Sequence, residues 1–78
     1  MKLTVKYFGM IADELSRECD VIHFEGETVF DLKSELEQKT EKLAKLAYVV
    51  AVNQNIGIND KVIKELDEIA LLPPFAGG

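Results

Sequence analysis

The residues with the most chemical content close the chain: Pro73-Pro74-Phe75-Ala76-Gly77-Gly78. A carboxylate on Gly78 has a reference pKa near ~3.5, so at neutral pH it is an anion and a poor acyl donor. To react it must first be activated, most simply as a mixed anhydride with AMP. A sulfur nucleophile can then displace the nucleotide and leave a terminal thiocarboxylate, a reactive sulfur made without a cysteine side chain. The flanking residues suit that chemistry. Gly77 and Gly78 carry no Cβ, pass through a tunnel that would reject a branched side chain, and reach backbone conformations closed to other residues. The two prolines stiffen the exit and project the chain outward. Phe75 offers an apolar anchor and Ala76 is small. Fully extended, this stretch reaches roughly 20 Å. Gly-Gly alone is a short motif that chance explains as readily as function. The run from Asp67 to Gly78 is far more specific.

Other candidate residues carry less. His23 is the only histidine and has no obvious catalytic partner in the sequence, so a structural or solvated role is expected. Cys19 is the only cysteine and is read as part of a polar turn. It cannot form an internal disulfide, and no Cys-x-x-Cys or histidine pair accompanies it. Glu35, Glu37, Asp60, Glu65, Asp67 and Glu68 match no calcium loop and read as a solvated acidic face. No metal site is expected.

A chain of 78 residues is one domain. Such a domain buries only about 60% of its unfolded surface, which leaves little room for an enclosed active site. Chemistry is therefore expected at an edge, at a terminus, or on a surface shared with a partner. The net charge of −5 disfavours nucleic acid, whose phosphates require basic surface, and suits a basic protein partner. No apolar run approaches the ~20 residues of a membrane helix. The opening MKLTVKYF alternates and so does not read as a signal peptide. The expected location is the cytoplasm.

The positioning elements follow from periodicity. Lys2 to Phe8 alternates, with Leu3, Val5 and Tyr7 on one face and Phe8 on the other, which predicts a strand. Gly9 breaks it, and Met10 to Leu15 forms a helical turn. Val21 to Phe24 is a short second strand. Thr28 with Asp31 three residues later marks a helix start, and Val29, Leu32 and Leu36 share its apolar face. Helical character extends weakly through Leu43 and Leu46. Tyr48 to Val52 reads as a central strand, Ile56 to Ile58 as an edge segment, and Glu68 to Leu72 as the last strand, ended by Pro73-Pro74. Val62-Ile63 is expected to pack against the core. The resulting fold is α+β: a mixed sheet of about five strands covered by one main helix, the ubiquitin-like β-grasp.

The tail from Asp67 to Gly78 resembles the C-terminal signature of the MoaD/ThiS sulfur carriers. That family contains the molybdopterin synthase small subunits and the thiamine-pathway carriers and is related to ubiquitin. Tyr7-Phe8-Gly9 with Ile11 and Leu15 resembles the family's first strand and turn, and Val50-Ala51-Val52-Asn53 its third strand. Pro73-Pro74 favours the molybdopterin branch. The resemblance covers essentially the whole chain, residues 1–78, with 73–78 as the tail. It implies that Gly78 is adenylated, then thiocarboxylated, and that with Gly77 it enters a partner and donates sulfur to cyclic pyranopterin monophosphate. The chain would be a non-catalytic sulfur-donor subunit, with catalytic side chains on the large synthase subunit (MoaE-like). An adenylating enzyme (MoeB-like) would use ATP, and this chain would hold no cofactor itself. Phe8, Ile56 and Leu72 would form the patch that partners grip, with Pro73, Pro74, Phe75 and Ala76 following the tail into the partner. The alternatives are sulfur delivery in thiamine or another pathway, or a ubiquitin-like protein modifier. One departure stands out: the family's usual glycine before Asp67-Glu68 is Leu66 here, so the turn is expected to take a different shape that avoids positive φ.

Overall fold

A computed structural model describes residues 1–74. The alternation at the start gives strand β1, Lys2–Tyr7, with Leu3, Val5 and Tyr7 buried and their neighbours exposed. Phe8 lies just past this strand, as the residue preceding helix α1, Gly9–Leu15. Strand β2, Cys19–His23, returns antiparallel to β1, with Lys2 opposite His23 and Lys6 opposite Cys19. Cys19 therefore begins a strand and does not sit in a polar turn. The strand starts and ends earlier than the expected Val21 to Phe24, because pairing with β1 holds residues that are polar by type.

Helix α2, Val29–Lys39, begins where the capping pattern predicts. Thr28 Oγ1 accepts the Asp31 N–H at 3.3 Å, and Asp31 Oδ2 accepts the Thr28 N–H at 3.1 Å. Two orphan donors of the first turn are thus satisfied reciprocally. Val29, Leu32 and Leu36 form the buried face. A separate short helix α3, Glu41–Ala44, buries Leu43. Strand β3, Val49–Val52, turns through Asn53-Gln54 into the two-residue β4, Asn55–Ile56, and β5 spans Glu68–Leu72. Ile63 is buried but Val62 is half exposed, so only one of that pair joins the core.

The sheet order is β2-β1-β5-β3-β4. Strand β5 is the central one, parallel to β1 and antiparallel to β3. Strand β3, expected as a central strand from Tyr48, is interior, flanked by β5 and β4, and begins one residue later at Val49. A parallel β1–β5 pair needs a crossover, and the segment containing α2 supplies it. Leu3, Val5, Val50, Val52, Ile69 and Leu71 from the sheet pack with Val29, Leu32 and Leu36 from α2 in one cluster. This is the ubiquitin-like β-grasp. Truncating a buried aliphatic side chain such as Ile69 to alanine costs about 2–5 kcal/mol in such a core.

The turn before β5 overturns one expectation. Leu66 does adopt a left-handed backbone, φ +75°, and its side chain is 95% exposed. The turn keeps the shape a glycine would favour, because the groups around it fix it. Asp67 accepts the Lys64 N–H at 2.7 Å and the Asn53 side-chain N–H at 2.9 Å. Asn53 Oδ1 in turn accepts the Glu68 N–H at 2.9 Å. Leu66 gains nothing from burial and carries the left-handed penalty of about 1–2 kcal/mol. Leu66→Gly is expected to stabilise the fold by roughly 0.5–1 kcal/mol, less than the full penalty because glycine loses more entropy on folding. Urea denaturation would show this as a higher midpoint at unchanged slope; an unchanged or lower midpoint contradicts it.

The same carboxylates set the acid limit. Backbone N–H groups of Glu27 and Thr28 hold the Asp31 carboxyl below the usual range, and the Lys64 N–H followed by the Asn53 amide does so for Asp67. A depressed folded-state pKa contributes stability above the unfolded value near ~4, and that contribution is lost as pH falls through the folded value. Denaturation midpoints are expected to fall below about pH 4, and less steeply in Asp67→Asn. Tyr7 and Tyr48 set the opposite limit. Burial, then hydrogen bonds to Asp20 and Glu37, raise both phenols above their ordinary value. Their contribution is present below about pH 10 and fades above it.

Candidate functional site

The last described residues emerge from the middle of the sheet. Strand β5 is held on both sides up to its end, with Leu71 opposite Tyr7 and Leu72 opposite Val49. The Phe8 N–H donates to the Leu71 carbonyl at 3.1 Å. The chain then leaves at Pro73, which cannot donate to the ladder. Gly9 stands beside the exit. Its φ is +58°, and a Cβ there would lie 2.9 Å from Cγ of Pro73. Glycine is needed at this position twice over, for its backbone and for the space the proline ring fills. Pro73 is half-buried and Pro74 exposed. The body thus fixes the direction in which the chain departs.

Beside this exit, the sheet face opposite α2 carries an apolar depression of about 310 Å³ lined by Phe8, Ala51, Gln54, Ile56, Ala70 and Leu72, with Glu68 at its margin. Phe8 is 45% exposed and Ile56 63% exposed. The three residues expected to form a patch, Phe8, Ile56 and Leu72, come from β1's end, the β4 edge and β5, and the fold brings them to one surface. The alternation of β5 puts Glu68, Ala70 and Leu72 on this face, while Ile69 and Leu71 are fully buried on the other. Ala51 and Ala70 were not anticipated. Their small side chains sit opposite each other in the β3–β5 ladder and keep the floor low between the larger residues. The period of two in Glu68 to Leu72 carried the signal for Ala70. The Gly9–Pro73 contact had no sequence signal, since it joins residues distant in the chain. Lys6 lies 4.0 Å from Glu68 with both side chains about half exposed, a pair worth little in stability.

Phe75, Ala76, Gly77 and Gly78 lie outside the described residues. Among the described residues, no group of three or more His, Cys, Asp or Glu side chains is placed to hold a metal ion. His23 is exposed, with Nε2 3.5 Å from the Glu25 carboxylate. Cys19 is an exposed free thiol. It borders a second, wider depression of about 620 Å³ that also includes Lys6, Phe8, Gly9 and Asp13. Volume alone does not make that hollow a reaction site, and among the described residues no charged side chain is buried there. The chemical content stays with the tail and the patch at its root. No helix among the described residues is long and apolar enough to cross a membrane.

Comparison with known proteins agrees with this geometry. The molybdopterin synthase sulfur carrier subunit of Mycobacterium tuberculosis (strain ATCC 25618 / H37Rv) is 37% identical over 83 aligned positions, covering 100% of this chain and 99% of that protein. A putative molybdopterin converting factor, subunit 1, from Pyrococcus furiosus superposes with a TM-score of 0.85 at 26% identity, over 95% of this chain and 98% of that one. The complex of subunits 1 and 2 of the molybdopterin-converting factor from Helicobacter pylori 26695 contains a chain that matches with a TM-score of 0.70 at 27% identity, over 100% of both. The family model for ThiS matches residues 5–78. With the fold, the exit from β5 and a full-length relative all in agreement, this chain belongs to the ThiS family, the MoaD/ThiS sulfur carriers.

Proposed function

We propose that this chain is the sulfur carrier subunit of a molybdopterin synthase, and that Gly78 is the atom-bearing end. The observation that carries the reading is the anchored exit of the tail. The central strand, a glycine and a proline contact together fix where the chain leaves the sheet at Pro73, and an exposed apolar patch lies beside that point. The full-length likeness to a molybdopterin synthase sulfur carrier subunit supports the choice of pathway.

In this reading, a MoeB-like adenylating enzyme joins the Gly78 carboxylate to AMP with release of pyrophosphate. A sulfur donor displaces AMP and leaves the thiocarboxylate. The loaded tail enters a large, MoaE-like subunit, where its sulfur bonds to a side-chain carbon of cyclic pyranopterin monophosphate and displaces the oxygen that carbon carried, which leaves on the opened phosphate or as water. Water then cleaves the acyl–sulfur bond, so that sulfur stays on the pterin and the carboxylate returns. The chain supplies the sulfur and the large subunit the substrate site. Phe8, Ile56 and Leu72 dock against the partner while Pro73 to Ala76 guide the tail inward. The likeness to a chain in a complex of subunits 1 and 2 of a molybdopterin-converting factor supports a large-subunit partner.

The test is the intact mass of the protein after incubation with an adenylating enzyme, ATP and a sulfur donor. An increase equal to one oxygen exchanged for sulfur, located in the C-terminal peptide, is expected. Unchanged mass under conditions that load a known carrier rejects the reading. Conjugates joined to lysines of other proteins would instead indicate a modifier. An Ile56→Asp variant is expected to fold normally, since the side chain is exposed, and to weaken binding to the large subunit by about 2 kcal/mol or more, as for a central interface residue. Equal affinity by calorimetry would remove Ile56 from the docking surface.

A further inference from the structure

We propose that the free edge of β2 pairs with β2 of a second copy of this chain, in a two-fold antiparallel arrangement centred on Val21. The two edges of the sheet are β2 and β4, and β4 has only two residues. The five-residue β2 is the edge with length enough to act as a template. Its inner and outer groups can be assigned from the pairing with β1. Glu18 accepts from Tyr7 N–H at 2.8 Å, and Phe24 N–H donates to Met1 at 2.7 Å. By alternation, Asp20 and Ile22 also turn their main-chain groups to β1, and Cys19, Val21 and His23 turn theirs outward. Strand β2 contains none of the proline or lysine that commonly blocks an edge. Val21 is 63% exposed.

The edge is complementary to itself in one register. With Val21 opposite Val21, Cys19 faces His23 of the second copy and Asp20 faces Ile22. All the outward groups of Cys19, Val21 and His23 then find partners, and no like charges stand opposite one another. Continued past the strand, the same register sets Arg17 opposite Glu25. On the helix side, the groove along β2 has Arg17 and Asp20 toward one end, and Lys39 beside His23, Glu25 and Glu35 toward the other. The two-fold brings Asp20 toward Lys39 of the second copy, and Arg17 toward the second copy's Glu25 and Glu35, so each end offers the other an opposite charge. A slip one way places Asp20 against Asp20, and a slip the other way leaves Cys19 opposite Glu25. The patch residue Ile56 lies on the opposite edge of the sheet, so the pairing leaves it open. A ladder this short gives weak association, seen at high protein concentration.

The register can be read covalently. In His23→Cys, the new thiol faces Cys19 of the second copy in a hydrogen-bonded pair, with Cα atoms about 5.5 Å apart, within disulfide reach. Cys19 and a cysteine at 23 on the same strand are about 13 Å apart and cannot bridge within one chain. Oxidised glutathione, taking up the electrons, is expected to convert His23→Cys to a doubly bridged dimer roughly tenfold or more faster than Lys64→Cys, whose thiol lies in a remote exposed loop. In parallel, the unmodified chain under reducing conditions is expected to gain weight-average mass with concentration in sedimentation, and Val21→Lys to remain a monomer. Bridging of His23→Cys no faster than Lys64→Cys, or a monomer mass for the unmodified chain up to its solubility limit, overturns the proposal.

Discussion

A carrier with Gly77 replaced by valine is expected to fold like the parent and deliver no sulfur. Gly77 follows the last strand by several residues, and the core is complete without it, so denaturation midpoints should agree within about 0.5 kcal/mol. A branched Cβ at the penultimate position would clash in any channel narrow enough to exclude water from a thiocarboxylate. It would also confine a backbone that glycine leaves free. Transfer is expected to fall by at least about 10²-fold in single turnover, the scale at which misplacement of a reacting group is felt. The measurement is product formed from pre-loaded carrier by the large subunit, with loading checked separately by intact mass. Product at the parental rate would show that the two terminal glycines are not read for their size.

The second large effect is on the body. Gly9→Ala is expected to lower stability by about 2–5 kcal/mol, combining about 1–2 kcal/mol for a left-handed alanine with about 1–3 kcal/mol for crowding. The added methyl group would lie 2.9 Å from the Pro73 ring, so either α1 shifts or the proline is displaced. Pro73→Ala in the same chain separates the two costs, since it removes the ring and leaves the backbone requirement. If Gly9→Ala unfolds at the parental denaturant concentration, the contact at the tail root has been overstated. If it is destabilised and Pro73→Ala recovers part of the loss, the contact is real and the remainder is backbone strain.

Much of this arrangement is legible in the sequence because local rules suffice for it. Thr28 and Asp31 announce the helix start, and both halves of the capping box form. The alternation in Lys2 to Tyr7 and in Glu68 to Leu72 gives strands whose buried faces match the apolar sets. What escaped is set by long-range contact. Cys19 and Asp20 are polar by type, yet pairing with Lys6 and Val5 makes them a strand. Asp20 even becomes structural, accepting the Tyr7 hydroxyl at 2.7 Å and lying 2.9 Å from Arg17 Nε. That β5 takes the middle of the sheet follows from the parallel pairing with β1, which composition does not encode. Leu66 misled for the opposite reason: a local preference against positive φ was outweighed by the bonds that Asn53 and Asp67 make around it. Resemblance named Phe8, Ile56 and Leu72, which the fold brings to one surface; the floor of Ala51 and Ala70 between them needed the ladder.

The position of β5 also bears on how the protein is made. The strand that completes the middle of the sheet, between β1 and β3, is also the last to be synthesised. A nascent chain that stops before Glu68 has an open gap where two of the four strand pairings should be, and no complete sheet to collapse onto. Such fragments remain unfolded and exposed to proteolysis. Folding therefore acts as quality control on synthesis: a molecule that survives as a stable body has, by construction, been translated at least as far as the root from which its reactive end departs.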